Sequence, residues 1–262
     1  TLTPIEEHGG VLVKRDDLFC FAGVRGGKVR TCKFLVESAG TGLRGLVTSG
    51  SRASPQINIV AHIARRLGVP FHAHAPLGKL SPELRDAVAA GAEITQHRAG
   101  YNNVIVARAR EDALVRGWTE IPFGMECQEA VDQTSSQVAN LPSDIRRIVV
   151  AVGSGMSLSG VLWGLQKCGR DIPVLGVIVG ANPRNRLDRW APLGWHDDVE
   201  LARSHLDYHV AAPSNLLGDL ELDPYYEAKC LPFLRPSDLF WCVGIRKVIT
   251  ESVTVMPDSP LP

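Results

Sequence analysis

An α/β fold with mostly parallel sheets covered by helices is what this sequence predicts, and three observations predict it. Short runs rich in Val and Ile alternate with longer segments whose apolar residues recur at helical spacing. The strongest run, Ile148-Val149-Val150-Ala151-Val152, is apolar at every position, as a strand buried on both faces must be. The 262 residues suffice for one large or two smaller domains, and no repeat or low-complexity stretch interrupts them.

Taken in order, residues 46–48 read as a short strand. Residues 55–67 read as a helix with Ile59, Ile63 and Leu67 on one face. A strand over 69–75 precedes a helix over 82–90, for which Ser81 is the N-cap and Pro82 the first turn. Strand 93–96, helix 103–116, strand 118–122 and a helical stretch over 126–140 follow. Strand 147–152 runs into Gly153-Ser154-Gly155, then come helix 157–167, strand 173–179 and a late strand over 239–243. Residues 182–222, rich in Pro, Asn, Arg and Asp, read as irregular loops over a site. Residues from about Glu251 read as a loose tail.

Basic and acidic side chains number 28 each, so net charge gives no reason to expect nucleic acid or an anionic membrane as partner. No apolar run reaches bilayer length and no signal peptide is visible, which makes the cytoplasm the expected compartment. The six cysteines are scattered without a CxxC pair, which argues against structural zinc. The histidines show no HExxH. His72 and His74 share a strand face without an evident acidic partner and read as structural, so no metal is expected.

Three motifs carry chemistry. Gly26-Gly27-Lys28-Val29-Arg30 sets a lysine behind two glycines, downstream of Val13-Lys14-Arg15-Asp16-Asp17-Leu18. A lysine held near backbone or other cations can be an amine at neutral pH and form a Schiff base with an aldehyde; a surface turn is the plain alternative. Gly153-Ser154-Gly155-Met156-Ser157-Leu158-Ser159-Gly160 follows a strand and opens a helix, which suits a phosphate. Leu158 stands where the dinucleotide fingerprint needs its third glycine, and no GK[ST] follows, so neither nucleotide motif is met. Thr48-Ser49-Gly50-Ser51-Arg52-Ala53-Ser54-Pro55-Gln56 links a strand to a helix, and its N–H groups suit a carboxylate. Helix capping by Ser54 explains the same residues structurally.

In this order the motifs resemble the fold type II enzymes dependent on pyridoxal 5′-phosphate (PLP), the superfamily of the tryptophan synthase β-subunit. The likeness is to the branch of 1-aminocyclopropane-1-carboxylate deaminase and D-cysteine desulfhydrase. Residues 26–30 look like its GGNKxRK, residues 48–61 like TSGGxxSNxxxxVA, residues 153–160 like GSGGTxAG and residues 222–229 like LDPVYTGK. The resemblance implies a larger PLP-binding domain, 1–42 with 125–262, and a smaller substrate-loop domain, 43–124. It implies that Lys28 holds PLP and moves the α-proton. Gly153, Ser154, Gly155, Met156, Ser157 and Gly160 would form the cofactor's phosphate cup. Ser51, Ser54, Gln56 and Tyr225 would meet the substrate. It further implies an amino acid or amine as substrate, elimination or deamination as reaction, and a homodimer.

The sequence departs from the family in four places. Pro55 replaces an Asn that bonds the PLP ring hydroxyl, and Met156 replaces a glycine of the phosphate loop. A helical segment before residue 222 is shortened, and with it goes a place for one catalytic tyrosine. Asp219 and Glu221 are then candidates for the pyridine nitrogen, and Tyr208, Tyr225 and Tyr226 remain without assigned roles. The shorter wall suggests an alternative, an amino acid carried on something larger. Pro55 and Met156 suggest another, a non-catalytic PLP-binding homologue.

Overall fold

The computed structural model describes residues 1–52, 54–98 and 102–244; Ala53 of the polar loop and the expected tail lie outside the described residues. The chain opens with an antiparallel pair, β1 (Ile5–His8) and β2 (Val11–Arg15). A small ribbon, β3 (Cys20–Phe21) and β4 (Val24–Arg25), leads into α1 (Gly27–Ala39), which buries Val29, Cys32 and Val36 on one side. Then come β5 (Leu46–Ser49), α2 (Gln56–Leu67), β6 (Phe71–Pro76), α3 (Pro82–Ala89), β7 (Glu93–His97), α4 (Asn102–Arg116) and β8 (Thr119–Ile121). These strands form a four-stranded parallel sheet in the order β7-β6-β5-β8. Ile59, Ile63 and Ala64 of α2 and Leu84 of α3 join the main cluster with Leu46 and Ala73. Ala109 and Ala113 of α4 pack on Val47 and Trp118.

After α5 (Gln128–Ser135), β9 (Arg147–Val152), α6 (Met156–Lys167) and β10 (Val174–Ile178), the chain adds α7 (Arg184–Trp190), α8 (Trp195–Asp198) and β11 (Val199–Arg203). A two-residue ribbon, β12 (Leu216–Leu217) and β13 (Leu220–Glu221), precedes β14 (Asp238–Cys242). The second sheet runs β1-β2-β14-β9-β10-β11, parallel except at β1. Its central strand shows the strand period directly. Ile148, Val150 and Val152 face a cluster with Leu158, Val161 and Leu165 of α6, whereas Val149 and Ala151 face Leu222, Ala228 and Cys230.

The strand and helix expectations hold to within a few residues, and the Ser81 cap forms, its Oγ accepting from Leu84 N at 3.3 Å. Two expectations need correction. Residues 126–140 are not one helix: α5 starts at Gln128 and tightens into a 3-10 turn over Ser136–Asn140. The stretch 182–222 is not all loop, since it holds α7, α8 and β11. These were hidden because α7 is short and bounded by Pro183 and Pro192, while β11 is a half-exposed edge strand without a clean apolar pattern.

Glycines in α6 set the distance between helices. A Cβ on Gly164 would lie 2.7 Å from Ser135 O and 2.8 Å from Val138 Cβ. Gly164→Ala is therefore expected to destabilise the fold by ~1–3 kcal/mol, read as a lower denaturant midpoint with an unchanged slope; an unchanged midpoint would show that α6 can shift freely.

Candidate active site

The lysine motif is fixed from behind by charge. Arg30 Nη1 and Nη2 donate to Asp16 Oδ1 and Oδ2 at 2.6 and 2.8 Å, with both side chains almost wholly out of water. Between them runs the first turn of α1: a Cβ on Gly27 would sit 2.7 Å from Asp16 Oδ2. Gly26 lies at φ +112°, the left-handed region where a side chain is strained, and Gly27 N donates to Val243 O at 2.9 Å. Lys28 occupies this same turn. The neighbouring charges are structural too. Arg15 forks onto Asp17 at 2.9 and 2.8 Å and also pairs with Glu6. Lys14, fully buried, donates to Thr3 O and Asn140 Oδ1.

The phosphate-type turn stands at the carboxyl end of β9. Gly155 adopts φ +91° and no side chain caps α6, so the N–H groups of its first turn have no side-chain acceptor from the cap position. The glycines are needed here by neighbours. A Cβ on Gly153 would meet Tyr226 Oη at 3.0 Å, and one on Gly155 would meet Leu187 of α7 at 3.2 Å. Ser154 and Ser157 are partly exposed, while Ser159 Oγ is buried with no hydrogen-bond partner. The Met156 side chain is buried in the cluster with Val131 and Met125, so it does not occupy the turn's mouth. Gly160 lies deeper, where a Cβ would strike Thr134 and come 3.0 Å from Val131 O; its place is explained by the contact between α5 and α6.

In the polar loop, Ser54 Oγ accepts from Gln56 N at 3.3 Å, and Ser54 N donates to Ser51 O. Ser51 and Ser54 are half-buried, and Pro55 takes the N-cap position of α2. Gln56 is almost wholly buried and committed on both ends. Its Nε2 donates to Thr48 Oγ1 and Pro122 O at 2.9 and 2.8 Å, and its Oε1 accepts from Gly124 N at 2.8 Å. Because Gly124 packs beside Ser154, Gln56 ties the polar loop of one sheet to the phosphate-type turn of the other.

Two residues to which the sequence assigned no role complete the surroundings. Tyr226, not the partly exposed Tyr225, covers Gly153, and its hydroxyl donates to Ala151 O at 3.2 Å. Burial pushes that hydroxyl well above its ordinary range. Glu227 is buried, and Gly244 N donates to its Oε1 at 3.2 Å; Gly244 in turn lies against Gly26. Glu227 is thus linked to the lysine turn through Gly244, while its chain neighbour Tyr226 covers Gly153. Asp219 and Glu221 are placed otherwise: Asp219 is exposed and bonded to His8 at 2.7 Å, and Glu221 is exposed and accepts from Asn215. Sequence alone hides Tyr226 over Gly153 and His8 against Asp219, because these partners lie far apart in the chain.

The site fits PLP. A helix start without a side-chain cap, walled by two obligatory glycines, suits the phosphate. An orphaned serine hydroxyl lies one turn on, a rigidly placed lysine turn suits the aldehyde, and the buried Glu227 carboxylate holds Gly244 beside that turn. The family described as pyridoxal-phosphate dependent enzyme matches residues 2–204.

The chain belongs to the PLP-dependent enzymes.

Its fold is that of fold type II. A solved homologue of 1-aminocyclopropane-1-carboxylate (ACC) deaminase superposes with TM-score 0.80 at 22% identity, over 93% of this chain and 89% of that one. Serine racemase from Dictyostelium discoideum gives TM-score 0.66 at 13% identity, over 95% and 93%. The processed threonine deaminase isoform 2 from Solanum lycopersicum gives 0.61 at 15% identity, over 94% and 80%. No curated protein sequence matches significantly.

Two predictions follow from the charge lattice of this PLP enzyme. Arg30→Met strands the Asp16 carboxylate in the interior and is expected to cost ~3–5 kcal/mol of stability in urea unfolding; a loss below 1 kcal/mol would refute the lock. Burial lowers the Lys14 ammonium to about 8, assisted by Arg30 and opposed by Asp16. Between that value and its unfolded 10.5, the unfolded chain holds a proton that the folded chain lacks, so Lys14 makes stability rise with pH across this window. Urea midpoints compared below and above it should show this increment in the native protein and not in Lys14→Met.

Proposed function

We propose that this enzyme acts at the α-carbon of an amino acid or amine, by elimination or deamination. The observation that carries the reading is a chain of contacts. The lysine turn touches Val243 and Gly244, Gly244 holds Glu227, and the adjacent Tyr226 lies on Gly153. PLP, when bound, supplies an electron sink for the charge that develops at that carbon. In this reading Lys28 would hold the cofactor at its aldehyde, and its Nζ would carry the substrate's α-proton. The amides of residues 153–157 and the hydroxyls of Ser154 and Ser157 hold the phosphate, with Gly155 setting the turn. Ser51 and Ser54 receive the substrate carboxylate. Gln56 contributes by holding Gly124 in place, and Glu227 would be the group that tunes the ring nitrogen. Residues 43–124, built around the four-stranded sheet, serve as the substrate domain on a larger cofactor domain of 1–42 and 125–262. Tyr225 is exposed, and in this reading it would meet a substrate larger than a free amino acid.

The test is borohydride reduction of the PLP-loaded protein followed by peptide mass mapping. The expected result is one phosphopyridoxyl group on the peptide carrying Lys28 and none in Lys28→Ala. Release of ammonia and a keto acid from an amino acid by the native protein completes the reading. A label on another lysine, or bound PLP whose spectrum no amine alters, would contradict it.

A further inference from the structure

The strand pair His72 and His74 has the acidic partner that the sequence did not reveal. It is Asp112, brought by α4 onto the face of β6 where both rings point. His72 Nδ1 and His74 Nε2 lie 2.6 and 3.3 Å from the same oxygen, Asp112 Oδ2. Among the described residues these three form the only group of His, Cys, Asp or Glu side chains arranged to hold a metal ion, their donor atoms lying within 4.8 Å of one another. Both histidines are buried, at 7% and 5% exposure.

The outer atoms of all three side chains are held as well. His72 Nε2 meets Thr95 Oγ1 at 2.9 Å, His74 Nδ1 meets His97 Nε2 at 2.8 Å, and Asp112 Oδ1 accepts from Arg116 Nε at 2.8 Å. Inner atoms that converge, with outer atoms each fixed by a partner, are the arrangement that orients metal ligands and selects the tautomer of each ring. Alternation along a strand puts residues 72 and 74 on one face, so two imidazoles come from one rigid element.

We propose that His72 Nδ1, His74 Nε2 and Asp112 Oδ2 bind a divalent transition ion of the zinc class, with a solvent molecule as fourth ligand. Two imidazole nitrogens and one carboxylate oxygen suit zinc, and they are too few and too nitrogen-rich for calcium or magnesium. A tetrahedral ion with bonds of about 2.0–2.1 Å separates its ligand atoms by about 3.3 Å. The His74–Asp112 spacing already matches, and His72 and Asp112 need to part by less than ~1 Å to admit the ion. Thr95 is exposed on the sheet edge, which gives the ion a way in. The site joins β6 and α4 directly, and β7 through Thr95 and His97. Gly50 N donates to His74 O at 3.1 Å, so the site also adjoins the start of the polar loop.

The experiment is titration of PLP-loaded, chelator-treated protein with zinc by calorimetry and with cobalt by visible absorption. It is run in a Cys20→Ser, Cys168→Ser background to remove the exposed thiols. One equivalent of zinc, tetrahedral cobalt bands without thiolate charge transfer, and a higher melting temperature with zinc are expected. His74→Gln and Asp112→Asn should abolish the stoichiometric step. Thr95→Val, at an exposed position, should weaken it ~10–100-fold while leaving the fold intact. Absence of saturable binding, or binding that survives both ligand substitutions, would overturn the assignment.

Discussion

Asp16 and Arg30 face each other through two parallel hydrogen bonds, both nearly out of water, across the first turn of the helix that carries Lys28. A buried pair of this kind adds little net stability, but losing one partner leaves a charge with nowhere to go. Its value is in specificity. The fork geometry of the guanidinium accepts one arrangement of the carboxylate, and a lysine could not supply that direction. Gly27 fits only because it has no side chain in front of Asp16, and Gly26 supplies the positive φ that turns the chain toward Val243. The charged stretch 14–17 and the motif 26–30 are therefore two halves of one device, and their product is the position of a single amine.

The rest of the site follows from where parallel strands end. β9 delivers Gly153 to α6, β10 ends beside it, and β5 delivers the polar loop to α2. All three lie at carboxyl ends, where helix starts gather their free N–H groups. One side chain that helps join the two sheets here is Gln56, which accepts from Gly124 beside the phosphate-type turn. Its role is in holding geometry, and a buried amide with both ends in use has no spare group with which to grip a substrate.

Much of this was legible from sequence where the signal is local. β9 with its glycine turn, the Ser81 cap and the alternation of strands and helices all rest on neighbouring residues, and all appear. The lysine motif was readable as chemistry, while the pairing of Arg30 with Asp16 was not, because nothing in either segment names the other. The same holds for Tyr226 over Gly153, for Glu227 beside Gly244 and for Asp112 against His72 and His74. In each, the partners meet through tertiary packing and leave no periodic trace. Met156 shows the converse: its side chain looked able to narrow the cup, yet helix phase at the start of α6 turns it into the core.

The most direct measurement is a crystal structure of the protein with PLP. This account places the phosphate on the amides of residues 153–157, the aldehyde carbon on Lys28 Nζ and the pyridine nitrogen toward Glu227. A phosphate seated elsewhere, or a cofactor ring that leaves position 28 out of bonding reach, would contradict it.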